Sequence, residues 1–271
     1  MSKSLYSRLK MTIFSPNMLV SVCIGIFLLM WFHVFSWLTY NLSIGSLTFK
    51  EMGSTYLDDI YSAYARGGYQ LFAPILAVLP AATLFCEDYN SGYIKSILNR
   101  VEKNRYIDET LVCSSISGGL AVFFPCLISY AFYIIYGQAN TVDNAQDGYS
   151  TVFDETAFAG IQYIWGGLLF VILLLILAFM FGAIWSNIGL CVSTLIPNRY
   201  VALAVPFAIY FSCHLVFYRL GSLLMFSPTN MLMPAATFIP SPQYPFVYQL
   251  ALFIIVAFFV EWLMKRRLRN V

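Results

Sequence analysis

Apolar positions in this chain run in long unbroken stretches, while polar positions come in short, widely spaced clusters. A helix rises about 1.5 Å per residue and the hydrocarbon layer of a bilayer is about 30 Å thick, so a run of some twenty apolar residues predicts a spanning helix. Six such spans are predicted, over residues 17–40, 69–85, 107–136, 160–186, 200–225 and 246–264. Trp31, Trp37 and Tyr40 cluster in the later half of the first, as interfacial anchors do. Pro74 and Pro80 in the second and Pro125 in the third predict kinks, because proline removes a backbone donor. Residues 158–197 are almost continuously apolar. One straight helix of that length would reach roughly 60 Å, so the fourth span is expected to end near Trp185-Ser186-Asn187, with residues 188–199 as a partly buried connection.

The polar clusters predict what lies between. In residues 1–16, Lys3, Arg8 and Lys10 alternate with Leu5, Leu9, Ile13 and Phe14, the pattern of a short helix lying in the headgroup layer. The long apolar run behind it, with no small-residue cleavage site, predicts a span and not a signal peptide. In residues 41–67, Leu57, Ile60, Tyr61 and Tyr64 share one helical face and Asp58 and Asp59 the other. Thr55-x-x-Asp58 offers a capping box and Gly67-Gly68 a stop. The sequon at Asn41-Leu42-Ser43 abuts the first span and is read as chance. Residues 137–157 hold Asp143, Asp147, Asp154 and Glu155 but no Lys or Arg, and the proline-rich stretch 226–245 predicts a segment that turns back toward the membrane.

Composition closes the choice of class. Hydrophobic residues make up 60% of the 271 and charged residues 10%, with mean hydropathy +0.74. A soluble surface cannot be covered from such a composition; a lipid-facing one can. The expectation is an all-α integral membrane protein, residues 1–271 forming one domain. Twelve of the fifteen basic residues fall on one side of the six-span arrangement, leaving Lys50, Arg66 and Arg219 on the other, so both termini are expected in the cytoplasm. A net charge of +2 argues against nucleic acid as a partner. The cysteines, Cys23, Cys86, Cys113, Cys126, Cys191 and Cys213, lie singly in or beside apolar segments without a CxxC, as buried helix thiols would.

Catalytic patterns are scarce. The chain lacks GxxxxGK[ST] and HExxH, and no acidic residue stands at suggestive spacing from His33 or His214. Ile116-Ser117-Gly118-Gly119 lies inside the third span, where small residues permit close helix packing. The ionisable groups within or near spans are Arg219, read as snorkelling at the outer interface, and Glu261, one turn from Lys265. The chain is therefore not expected to be an enzyme or to drive transport by its own relay, and energy would come from a partner.

The main charged interruption is Phe85–Tyr106, FCEDYNSGYIKSILNRVEKNRY. Ser91 can cap a helix from Gly92, with Ile94, Ile97, Leu98 and Val101 on one stripe and Lys95 and Arg100 solvated, and Asn104 can cap the third span. By pattern alone this is either a docking knob or an ordinary interfacial loop. The stretch resembles the first cytoplasmic loop of bacterial ABC exporter permeases of the type-2 class. Glu87, Gly92, Ile94-Lys95, Ile97-Leu98, Arg100 and Arg105 stand where that family has an acidic residue, a glycine, an apolar-basic pair, a leucine-like pair and an Arg-bearing turn. Val101 and Glu102 occupy the place of the usual turn proline. Residues 190–206, LCVSTLIPNRYVALAVP, are similar to the family's small-residue stretch, basic turn and alanine-rich fifth span.

The resemblance implies a permease subunit of an exporter in the bacterial inner membrane, residues 86–106 being its coupling loop. It implies two cytoplasmic ATPase subunits and a second permease copy or paralogue as partners. ATP and magnesium would bind in the ATPase, with no cofactor in this chain. Glu87, Gly92, Ile94, Lys95, Ile97, Leu98, Arg100 and Arg105 would couple the two, and the spans would rock to open a central route outward, lined by the first, second and fifth. Aromatic residues at 18% of the chain and sparse intramembrane charge suggest an amphipathic peptide, drug or lipid-like cargo. The alternative is a non-transporting scaffold or sensor whose loop docks a signalling partner; an intramembrane enzyme ranks last.

Overall fold

The computed structural model describes residues 3–43, 56–81, 84–136, 158–161, 165–221, 223–234 and 241–269. The predicted outer loop at 137–157, the tip of the loop after the first span with its Thr55 cap, and Pro240 lie outside the described residues.

The described chain is helical: α1 (Lys3–Ile13), α2 (Pro16–Ser43), α3 (Tyr56–Arg66), α4 (Tyr69–Val78), α5 (Leu84–Asn90), α6 (Tyr93–Leu98), α7 (Lys103–Tyr136), α8 (Gly167–Leu195), α9 (Arg199–Arg219), α10 (Pro228–Leu232) and α11 (Tyr244–Leu268). Five of them, α2, α7, α8, α9 and α11, are long and apolar enough to cross a membrane, as a multi-pass membrane protein requires. The most apolar window of α7 and of α8 is 56% buried, against 22%, 17% and 22% for α2, α9 and α11, so α7 and α8 form the centre and the others surround it. The outer faces of the surrounding helices, among them Phe27, Phe35, Val216, Ile255 and Phe258, are apolar and exposed, which suits lipid and not water.

The centre is a seam of small residues. A Cβ on Gly118 would lie 2.2 Å from Ser186 Cβ, and one on Gly182 would lie 2.3 Å from the Gly118 carbonyl oxygen, so each glycine leaves space that the facing helix occupies. The Ser114 and Ser186 hydroxyls meet at 2.8 Å, and Asn187 Nδ2 donates to Ser115 Oγ at 2.8 Å. Between helices in lipid, close packing and such polar bonds replace the hydrophobic effect as glue. The packing role expected of Gly118-Gly119 is what the helices use. The expected break at Trp185-Ser186-Asn187 is not there: α8 continues to Leu195, and these residues sit buried at its tightest contact. The surplus length is taken up at the other end. Gly166 adopts φ +90°, and residues 158–160 form a separate 3-10 turn with Phe158 packed on Phe170 and Phe246. Only glycine visits that backbone region without strain.

The predicted second span is a ten-residue helix, α4, about 15 Å long and so roughly half a hydrocarbon layer, followed after a break by α5. Both prolines free a carbonyl four residues back, and neighbours take up each one. Tyr210 donates to the Gln70 carbonyl at 2.6 Å, across from Pro74, and Ser21 donates to the Leu76 carbonyl at 2.8 Å, across from Pro80. The amphipathic helix predicted after the first span is α3, with Leu57, Ile60 and Tyr64 buried, though Asp59, expected on its polar face, is buried too, against His33; Gly67-Gly68 ends it with Gly68 at φ +74°. Within the described part of the proline-rich stretch, α10 is buried in the bundle, held by Gln70 Nε2 on the Thr229 carbonyl and Gln249 Nε2 on the Met231 carbonyl, both at 2.7 Å. Glu261 and Lys265 pair as their spacing predicts.

Gly118→Ala is expected to force α7 and α8 apart and cost about 1–3 kcal/mol of stability, read as a lower melting temperature of the purified chain in detergent. An unchanged melting temperature would remove the seam from its central place.

Candidate functional site

The charged stretch folds as two short helices joined by a sharp turn. Ser91 Oγ donates to the Glu87 carbonyl at 2.6 Å and closes the last turn of α5. Gly92, at φ +71°, then takes the left-handed backbone of the turn, and α6 starts at Tyr93. Ser91 thus ends the helix before the turn more than it caps the one after, its oxygen standing 3.4 Å from the Tyr93 amide. Asn104 is not the cap of α7, which begins at Lys103.

Three of the four residues of the predicted stripe, Ile94, Ile97 and Leu98, face inward on α6, while Val101 lies beyond the helix end at Leu98. Ile94 is buried, and Ile97 and Leu98 pack against a core made by Phe85, Tyr106, Ile107, Leu190, Val260, Leu263, Met264 and Leu268, contributed by α5, α7, α8 and α11. Tyr93, Lys95, Ser96, Asn99 and Arg100 are exposed. The knob is therefore rooted by its apolar side and presents a polar, basic one.

Three consecutive residues just before it reach three different elements. Asp88 forms an ion pair with Arg8 of α1. The Tyr89 ring lies under the Arg267 guanidinium of α11 at 5.0 Å, and its hydroxyl accepts from Arg267 Nη2 at 3.3 Å. Asn90 Nδ2 donates to the Pro197 carbonyl, in the turn between α8 and α9, at 2.9 Å. Helical spacing spreads three successive side chains by about 100° each around α5, so one turn can grip neighbours on several sides. Lys103 Nζ adds a bond to the Leu268 carbonyl at 2.9 Å, a cation set against a helix C-terminus. The N-terminal helix, the central stretch and the C-terminal Lys/Arg cluster thereby meet at one end of the bundle, the basic end.

Arg8 is the anchor of α1. Its Nη1 donates to Thr110 Oγ1 at 2.8 Å, Asp88 pairs with Nη2, and the guanidinium stands 4.7 Å over the Tyr106 ring, while Tyr106 donates to Asp88 Oδ2 at 2.9 Å. Burial works against the charge, but Tyr106 and Asp88 outweigh it and hold the Arg8 pKa above its ordinary value. Between α1 and the α5–α6 pair lies a cleft of about 610 Å3.

Of the residues singled out from sequence, Glu87, Ile97 and Arg100 line this cleft. Gly92 is the turn, Ile94 and Leu98 belong to the root, and Lys95 is exposed outside the cleft. Arg105 bonds Glu109 at 3.1 Å on the first turns of α7. Arg8, Asp88, Tyr89 and Asn90 were not legible as a set, because the contacts that tie α5 to α1, α11 and the α8–α9 turn join residues 80 or more apart. His33 likewise gains a partner that spacing does not predict: its Nδ1 is 3.5 Å from Asp59 Oδ1, and its ring meets Tyr133, which ties α3 to α2 and α7. No protein-family model, curated protein or solved structure matches this chain.

Arg8→Gln and Asp88→Asn are each expected to loosen α1, seen as faster amide hydrogen exchange over residues 5–13. A double-mutant cycle should give a coupling of about 0.5–3 kcal/mol; strictly additive effects would mean that the pair does not hold the helix.

Proposed function

We propose that this chain is the membrane-spanning subunit of an ATP-driven exporter of the type-2 ABC class. In this reading the chain makes six passes, the second being the broken pair α4–α5, and both termini lie in the cytoplasm, on the side of the basic end. A separate ATPase, which binds the ATP and magnesium, pushes on α6, and a second copy or a paralogue completes the permease.

One observation carries the reading. Asp88, Tyr89 and Asn90, next to α6 in the chain, grip α1, α11 and the α8–α9 turn. A displacement of α6 is thereby passed to three separate parts of the bundle, as a coupling element needs and an ordinary interfacial loop does not. The exposed Tyr93, Lys95, Ser96, Asn99 and Arg100 would form the surface that the ATPase meets. Ile94, Ile97 and Leu98 would carry the push inward through the core they root in. The family-like order of Glu87, Gly92, Lys95 and Arg100 supports the same assignment. ATP-driven closure of the ATPases would then rock the long helices as rigid bodies. The cargo would be amphipathic, a peptide, drug or lipid-like molecule.

Tagged chain purified in mild detergent from its native membrane is expected to carry an ATPase with a nucleotide-binding motif. The double variant K95E/R100E should lower the co-purified ATPase activity about tenfold, with helix content and melting temperature unchanged. Chain that carries no ATPase would sink the exporter reading, and a stable partner without a nucleotide site would replace it with a membrane scaffold.

A further inference from the structure

A cleft that the coupling reading does not use lies where the last turns of α8 and α11 meet. It encloses about 380 Å3 and is lined by Thr194 and Leu195 of α8 and by Leu263, Arg266 and Arg267 of α11. That volume falls within the range of small-ligand sites, about 300–1,000 Å3. The charges lining it are two guanidinium groups, with no carboxylate among the lining residues. Thr194 donates its hydroxyl to the Leu190 carbonyl at 2.8 Å, so the donors offered to a ligand are those of the arginines. Arg267 gives one N–H to the Tyr89 hydroxyl, and a guanidinium has five. Arg266 is exposed, its guanidinium 5.7 Å from the Trp262 ring. The one acidic residue of α11, Glu261, is held by Lys265 one turn on. The C-termini of α8 and α11 each contribute about half a negative charge, less than the two full charges of the arginines.

Such a cleft suits an anion, and the surface of α11 says which kind. Ile255, Phe259 and Trp262 are exposed and, with Arg266, follow one another at spacings of four, three and four residues, which places them on one stripe along the helix. An apolar track thus runs along the outer side of α11 and ends at the cleft. Phe259 and Trp262 stack with centroids 5.8 Å apart, and a tryptophan beside the first charges of a spanning helix marks the level where hydrocarbon gives way to headgroups. A free phosphate would use the guanidinium pair but leave the track bare. We infer that this cleft binds the headgroup of an anionic phospholipid, its phosphodiester on Arg266 and Arg267 and one acyl chain along Trp262, Phe259 and Ile255. The guanidinium fork donates to phosphate oxygens in parallel, whereas a zwitterionic headgroup would bring its own ammonium up to two like charges. The inference needs only a multi-pass membrane protein and stands apart from the exporter reading.

The test is native mass spectrometry of the full chain, delipidated in detergent and titrated separately with phosphatidylglycerol and phosphatidylcholine. Phosphatidylglycerol should be retained about tenfold more tightly, and R266Q and R267Q should each weaken its retention about tenfold. L195W, which narrows the cleft from an exposed position without altering its charge, should do the same, so the result does not hang on the arginine variants alone. R269Q removes an equal charge from the same basic cluster but from outside the cleft, and should change retention less than about twofold. Inorganic phosphate in large excess should not displace the lipid, whose acyl chain it cannot replace. Equal retention of the two lipids, retention untouched by L195W, a loss with R269Q as large as with R266Q, or displacement by phosphate would each overturn the assignment. Since no ATPase enters the measurement, its failure leaves the coupling reading to its own test.

Discussion

The structure depends first on the approach of α7 to α8. Within a bilayer the solvent is as apolar as the side chains, so helices do not associate by withdrawing hydrocarbon from water. What remains is the number of atoms that can touch and the polar groups that find partners. Gly118 and Gly182 raise the first by removing the side chains that would hold two backbones apart, and Ser114, Ser115, Ser186 and Asn187 supply the second. α2, α4, α9 and α11 then assemble on this pair. Gly25 repeats the device at smaller scale, a Cβ there falling 2.6 Å from Pro125 of α7.

A second constraint acts on the backbone. The second apolar run contains two prolines, and each leaves a carbonyl that hydrocarbon cannot solvate. Tyr210 and Ser21 answer those two carbonyls from α9 and α2, so the irregularity of α4 is what bonds it to its neighbours. The break after α4 also turns the chain toward α5 and the charged stretch. Strain relief in the apolar part and placement of the charged stretch are therefore one structural event.

At the basic end the forces change from packing to charge. Arg8, Asp88 and Tyr106 form a partly buried knot in which each charge has a partner, and Asp88, Tyr89 and Asn90 spread its influence around one turn of helix. A node of this kind ties the α5–α6 pair to the rest of the bundle and holds α1 across the cleft from it.

Much of this was legible in the order of residues. Run length and composition specify a multi-pass helical chain, because hydropathy summed over twenty residues is a local quantity; spacing within one helical turn likewise specifies the amphipathic α3, the inward stripe of α6 and the Glu261–Lys265 pair. Gly67-Gly68 as a stop and Gly118-Gly119 as a packing surface follow from the conformational freedom and small size of glycine. What spacing could not supply was any relation set by the depth and rotation of one helix against another. That Ser186-Asn187 belongs to a seam and not a helix end, that Gly166 divides the fourth apolar run, that Asp59 answers His33 and Asp88 answers Arg8 were decided only when the helices packed. Each depends on two segments brought together by contacts distant in the chain, and no window of the sequence contains both.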